Sequence, residues 1–198
     1  MSEEITYEIP TWDELYKITL ELADKVKKNG FKPDIIVGVS RGGWPPARIM
    51  SDLLDNPNLA NVKVEFYEDI YQTAEEPRIT QPVSVPVKGK DILIVDDIAD
   101  TGKSLKLVRE KLLEDEASEV RIATLYLKPW SITIPDFHVR TTNAWVCFPW
   151  ELYESVKKIG GKLKTEGRRL SEIEEYLISI GLEPFIVRKF TSEIFGEE

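Results

Sequence analysis

The chain has 198 residues, 42% of them hydrophobic and 31% charged, which suits one sizeable globular domain with a real core. No apolar run reaches the roughly 18 residues of a membrane span, and the acidic start MSEEITYEIP lacks the apolar centre of a secretory leader. One cysteine, one histidine and a net charge of −9 exclude an internal disulfide framework and a structural zinc site, and argue against broad nucleic-acid or anionic-membrane binding; a reducing cytoplasm is the expected location.

In chain order, Thr11-Trp12-Asp13-Glu14 reads as a capping box. Leu15, Ile18, Leu20, Leu22 and Val26 follow at helical spacing, and Gly30 ends the helix. Asp34 to Val39 is a short buried strand. Ser40-Arg41-Gly42-Gly43 is a turn, Pro46 to about Leu54 a helix, and Asn61 to Tyr67 an alternating strand. Residues 68–87 hold Pro77, Pro82 and Pro86 with little periodicity and read as a long functional or mobile loop. Ile92–Val95 is the next buried strand, Gly102 to about Leu113 a helix, Val120–Leu127 a strand, and Ala144-Trp145-Val146 a short last strand of the sheet. Beyond Trp150 the chain is rich in Lys and Glu, with a helix near Ser171–Ile180, capped by Ser171 and Glu174, and a strand at Phe185–Val187. The alternation predicts an α/β fold with a mainly parallel sheet flanked by helices. The division expected is a main domain over 1–155 and a C-terminal appendage over 156–198, packed on the core or at an oligomer interface.

The stretch ILIVDDIADTGKSL, residues 92 to 105, brings three carboxylates to a strand–turn–helix junction. Gly102-Lys103-Ser104 resembles the end of a nucleoside-triphosphate P-loop, but that motif needs glycine where Asp97 stands. In parallel sheets ligands bind beyond the carboxyl ends of strands. There the helix N-terminus and the hydroxyls of Thr101 and Ser104 suit a phosphate monoester, with Lys103 adding charge or pointing to solvent. Asp96 and Asp97 suit a vicinal diol. Phosphate on one side and diol on the other describe a ribose 5-phosphate.

The stretch closely resembles the phosphoribosyl pyrophosphate (PRPP) motif of type I phosphoribosyltransferases, and the resemblance covers roughly residues 30 to 155. Val39-Ser40-Arg41-Gly42-Gly43 resembles the family's pyrophosphate loop, where glycines permit close backbone approach; the likeness implies a non-proline cis peptide before Arg41. Leu127-Lys128-Pro129, Ala144-Trp145-Val146 and Pro149-Trp150-Glu151 resemble the 6-oxopurine branch, which includes xanthine–guanine and hypoxanthine–guanine phosphoribosyltransferases. By that likeness Lys128 donates to purine O6, Trp145 stacks on the ring, the Val146 backbone meets the base edge, and Glu151 is an acid near the purine or a second metal. A lysine is donor-only and favours a 6-oxo over a 6-amino group.

The resemblance further implies a mobile loop or hood, a helical tail, and transfer of phosphoribosyl from PRPP to a purine base. The products are a nucleoside monophosphate and pyrophosphate. Mg²⁺ would be held by Asp96 and Asp97 directly or through water, Asp100 would be the general base, and Ser40, Arg41, Gly42 and, from the loop, Arg78 would hold pyrophosphate. A homodimer or homotetramer is implied. The loop opens with Phe66-Tyr67 where relatives often have Ser-Tyr, and the tail past 155 has no counterpart in the compact bacterial enzyme. His138, Cys147 and Trp12 read as structural residues, and Lys157-Lys158 to Arg168-Arg169 as a solvated face. A nucleotide sensor or transcription regulator on the same fold, a phosphoribosyltransferase for another base, and a metabolite-binding module are the alternatives. The order of hypoxanthine, guanine and xanthine stays open.

Overall fold

Residues 5–67 and 76–196 are described by the structure, a computed structural model. Its elements are β1 (Tyr7–Glu8), α1 (Trp12–Asn29), β2 (Ile35–Ser40), α2 (Trp44–Leu53), β3 (Leu59–Tyr67), β4 (Glu76–Gln81), β5 (Asp91–Ala99), α3 (Lys103–Glu114), β6 (Glu119–Leu127), β7 (Phe137–Thr141), β8 (Trp145–Val146), α4 (Leu152–Thr165), α5 (Leu170–Ser179) and α6 (Pro184–Phe195). They form two compact units, Asp13–Asn143 and the chain up to Trp12 together with Ala144 onward. Among the described residues no helix is long and apolar enough to cross a membrane.

In the Asp13–Asn143 unit six strands lie in the order β4-β3-β2-β5-β6-β7. All neighbours are parallel except β4, which runs antiparallel to β3. Successive side chains of a strand face opposite sides. Val37, Ile92, Ile94 and Ile122 share a core with Leu105, Val108 and Leu112 of α3. Gly38 lies against α2, where an added Cβ would come 2.9 Å from Ala47 Cβ. With both faces covered, Ile92–Val95 are apolar without a break and fully buried; each such side chain stabilises the fold by roughly 1.5–3 kcal/mol. From β2 the chain winds through α2 to β3 on one side, and from β5 through α3 to β6 on the other. The winding therefore reverses between β2 and β5, the point where open parallel sheets leave a crevice at their carboxyl ends.

The sheet differs from the sequence expectation at its margins. β5 continues to Ala99, so Asp96 and Asp97 lie inside its last residues. Of the expected loop 68–87, residues 68–75 lie outside the described residues, but 76–81 form β4, paired Val64↔Ile79 and Glu65↔Arg78 across a register irregularity at Lys63/Val64. Pro77 obscures this strand in the sequence and is tolerated because β4 is an edge. The last strand of this sheet is β7. Trp145–Val146 instead pairs in parallel with β1, Tyr7↔Trp145 and Glu8↔Val146, as a separate two-stranded sheet.

In the other unit α4, α5 and α6 close around Cys147, Val156, Ile159, Ile173, Leu177, Leu182 and Val187. The expected strand at Phe185–Val187 is the first turn of α6. Pro184 occupies a first-turn position, and the Ile186 N–H donates to Glu183 Oε2 at 3.0 Å, a helix start that overrides the β-prone residues. α5 starts one residue earlier than expected: the Arg169 N–H donates to Glu172 Oε2 at 2.8 Å, while Glu174 instead accepts from Thr191 Oγ1 at 2.7 Å.

Candidate active site

The turn after β2 and the end of β5 are neighbours because the two strands pair, Gly38↔Val95 being their last register match. The Ser40–Arg41 peptide bond is cis, as the resemblance implies. Gly42 lies against the Asp97 carboxylate, and a Cβ there would collide with Asp97 Oδ2. Gly43 is walled by backbone: a Cβ would come 2.5 Å from the Val95 oxygen and 2.8 Å from Asp96 Cα. Ser40 Oγ accepts from Asn61 Nδ2 at 3.3 Å, which fixes the start of the turn. Asp97 is buried, and its N–H donates to Asp96 Oδ1 at 3.0 Å. Burial, then the adjacent Asp97 carboxylate, hold the Asp96 carboxyl well above the usual carboxylate range.

From β5 the chain enters α3 through Asp100, Thr101 and Gly102. Gly102 adopts φ 76°, open to glycine at no cost, and α3 starts with no side-chain cap. The Lys103 N–H reaches Thr101 Oγ1 at a long 3.4 Å. The start of α3 is therefore suited to an anion. Lys103 Nζ lies 3.4 Å from Glu76 Oε1 on β4, so its charge is directed to the β3–β4 hairpin. Arg78 stands on the same strand, opposite Glu65.

Lys128 follows β6 and is buried. Its N–H donates to the Ala99 carbonyl at 3.0 Å, which ties it to the end of β5. Asp100 is exposed, and its Oδ1 accepts from the Trp130 indole N–H at 2.9 Å. The structure thus brings together Ser40, Arg41, Gly42, Asp96, Asp97, Asp100, Thr101, Gly102, Lys103, Ser104 and Lys128 around the ends of β2, β5 and β6. Trp145, Val146 and Glu151 belong to the other unit. There Trp145 is 45% exposed with Lys158 Nζ 6.0 Å from its ring centroid, and its backbone N–H donates to the Thr6 carbonyl. Val146 is buried, and Glu151 is the N-cap residue of α4.

Residues 8–155 match the model of the phosphoribosyl transferase domain. The chain belongs to the phosphoribosyltransferase family. A xanthine–guanine phosphoribosyltransferase of Idiomarina loihiensis is 32% identical over 146 residues, which cover 72% of this chain and 86% of that protein. The crystal structure of a purine phosphoribosyltransferase from Pyrococcus horikoshii is 39% identical, with a TM-score of 0.66 over 74% of this chain and 94% of the other. A Neisseria gonorrhoeae protein crystallised with bound ppGpp is 26% identical, with a TM-score of 0.68 over 75% and 91% of the two chains. Within this phosphoribosyltransferase, sequence reasoning missed Trp130 and Asn61. Only the indole beside Lys128-Pro129 carries a readable signal, a large aromatic in the nine-residue connection 128–136 between β6 and β7.

Proposed function

We propose that this phosphoribosyltransferase acts in purine salvage, moving the 5-phosphoribosyl group of PRPP to hypoxanthine, guanine or xanthine and releasing pyrophosphate and the nucleoside 5′-monophosphate. One observation carries the reading: at the β2/β5 reversal, a glycine turn with no room for a Cβ abuts Asp97 on β5, and the same strand leads into an uncapped helix start and is tied at Ala99 to Lys128. The first-turn amides of α3, with Thr101 and Ser104, bind the 5′-phosphate. Asp96 and Asp97 orient the ribose diol, and the backbone at Gly42 with Ser40 and Arg41 receives pyrophosphate, aided by Arg78. As the C1′–oxygen bond breaks and the purine nitrogen bonds C1′, Asp100 takes the ring proton at N7. Lys128, a donor without acceptor capacity, selects the 6-oxo group. In the other unit, stacking by Trp145, a backbone contact from Val146 and an acid role for Glu151 are proposed on the family resemblance.

Two adjacent carboxylates, one with raised proton affinity, fit a divalent cation. Asp96 and Asp97 would hold Mg²⁺ directly or through water. When bound, it supplies charge neutralisation at the pyrophosphate oxygens. We further propose a cytoplasmic homodimer or homotetramer, consistent with the unpaired, buried Cys147; light scattering reads the assembly.

Turnover with PRPP, Mg²⁺ and each of hypoxanthine, guanine, xanthine, adenine and uracil tests the function. Use of 6-oxopurines with little adenine is expected; no turnover of any base overturns the enzyme reading. The ppGpp carried by the Neisseria structure favours a second reading, binding of a phosphorylated guanine nucleotide as a regulator. Competition of ppGpp with PRPP tests it.

A further inference from the structure

We propose that Trp130 is a positioning residue that holds the Asp100 carboxylate in register and links it to Lys128; the inference rests on the function proposed above. The loop after β6 is stitched to the loop after β5 by its own backbone. The Lys128 N–H donates to the Ala99 carbonyl and the Ile132 N–H to the Thr101 carbonyl, each at 3.0 Å. Thr133 Oγ1 donates to the Gly102 carbonyl at 2.9 Å. The two loops touch so closely that a Cβ at Gly102 would lie 2.6 Å from both Ser131 Oγ and the Thr133 nitrogen.

The Trp130 side chain is not needed for that stitching. It is 55% exposed, so burial does not explain an indole here either. What it does contact is specific. Its N–H, the only polar group of an indole and a donor only, points at Asp100 Oδ1 at 2.9 Å. Among the described residues this is the one hydrogen bond to the Asp100 carboxylate, which leaves Oδ2 open to a substrate proton. The Lys128 ammonium lies 5.2 Å from the centroid of the same ring, within cation–π range. One side chain therefore sits between the group that takes the proton and the group that selects the base. Fixing one carboxylate oxygen removes rotation from the other and holds it where the purine arrives.

Two variants separate the two contacts. Trp130→Phe keeps a ring for Lys128 and deletes the N–H; Trp130→Ala deletes both. In single-turnover assays, where product release does not mask the chemistry, Trp130→Phe is expected to slow the chemical step about tenfold, the scale of one hydrogen bond to a charged group, with PRPP affinity and discrimination against adenine unchanged. Trp130→Ala is expected to raise the KM for the 6-oxopurine as well and to narrow the 6-oxopurine to adenine ratio. In an Asp100→Asn background, Trp130→Phe is expected to cost nothing more. Wild-type rates in Trp130→Phe, or a loss that adds fully to that of Asp100→Asn, overturn the inference. Should Trp130→Ala fail to fold, the phenylalanine variant and the double-mutant comparison still decide. An inactive wild-type protein would sink the proposed function and this inference with it; an active wild type with an indifferent Trp130→Phe would sink this inference alone.

Discussion

Gly42 and Gly43 are adjacent, and an alanine at each meets a different obstacle. At Gly42 the new methyl collides with the Asp97 carboxylate; at Gly43 it meets the carbonyl oxygens of Val95 and Val39, at 2.5 and 2.7 Å, and the Cα of Asp96. A side-chain end can swing aside, whereas three backbone atoms of two paired strands cannot move without disturbing the ladder. Gly42→Ala is therefore expected to displace Asp97 and leave the fold nearly intact. Gly43→Ala is expected to cost about 1–3 kcal/mol, as overpacking of a dense interior does, and more if the β2/β5 pairing opens. For a chain of this size that lowers Tm by roughly 2–4 °C per kcal/mol, so Gly43→Ala should melt about 2–12 °C below wild type. Gly42→Ala should melt within about 2 °C of wild type yet bind PRPP at least about tenfold more weakly, a loss near 1.4 kcal/mol. Thermal melts by circular dichroism and PRPP calorimetry with Mg²⁺ read both numbers. Equal loss of Tm in the two variants, or wild-type PRPP affinity in Gly42→Ala, would refute the assignment of Asp97's carboxylate as the obstacle.

Three further outcomes are expected. Asp96 holds its proton to a higher pH in the fold than in the unfolded chain. Its protonation thus stabilises the fold below the ordinary aspartate range, and that contribution is lost as pH rises through the raised folded value. Asp96→Asn should accordingly raise Tm at neutral pH, by about 2–4 °C for each kcal/mol relieved, while weakening PRPP binding; a lowered Tm counts against the desolvated carboxylate. Asp100→Asn should slow turnover by about a hundredfold with PRPP affinity unchanged, as loss of a general base does; parallel losses of rate and affinity, measured by turnover and calorimetry, count against that role. Lys128→Gln brings an acceptor to the base edge and should narrow the kcat/KM ratio of 6-oxopurine to adenine by about tenfold or more; an unchanged ratio removes Lys128 from base selection.

The parts of the site legible in the sequence are those made by contiguous residues. Asp96 to Ser104 run from strand to turn to helix, and Ser40 to Gly43 make one turn, so local chain chemistry suffices to read them. Their meeting follows from strand order, which the alternation of strands and helices implies. What escapes is nonlocal or masked. Nothing near Trp130 in the chain indicates that its partner is Asp100. α4 contains Gly160-Gly161, which interrupt the helical period. Gly160 is explained by packing alone, since a Cβ there would lie 2.8 Å from the Phe195 ring. β4 is hidden by Pro77, and α6 by a Phe-Ile-Val run whose helical state is set by Pro184 and Glu183 before it.

The pairing of β1 with β8 has a consequence for the order of synthesis. Tyr7 is made before the Asp13–Asn143 unit, but its ladder partner Trp145 is made only after that unit is complete. At about 5–20 residues per second, the N-terminal segment waits on the order of ten seconds for its neighbour. Asp13–Asn143 is one continuous stretch whose last strand, β7, is complete by the end of that wait, so nascent chains should acquire protease resistance there first. The segment around Tyr7, made before that stretch, should find its place after it.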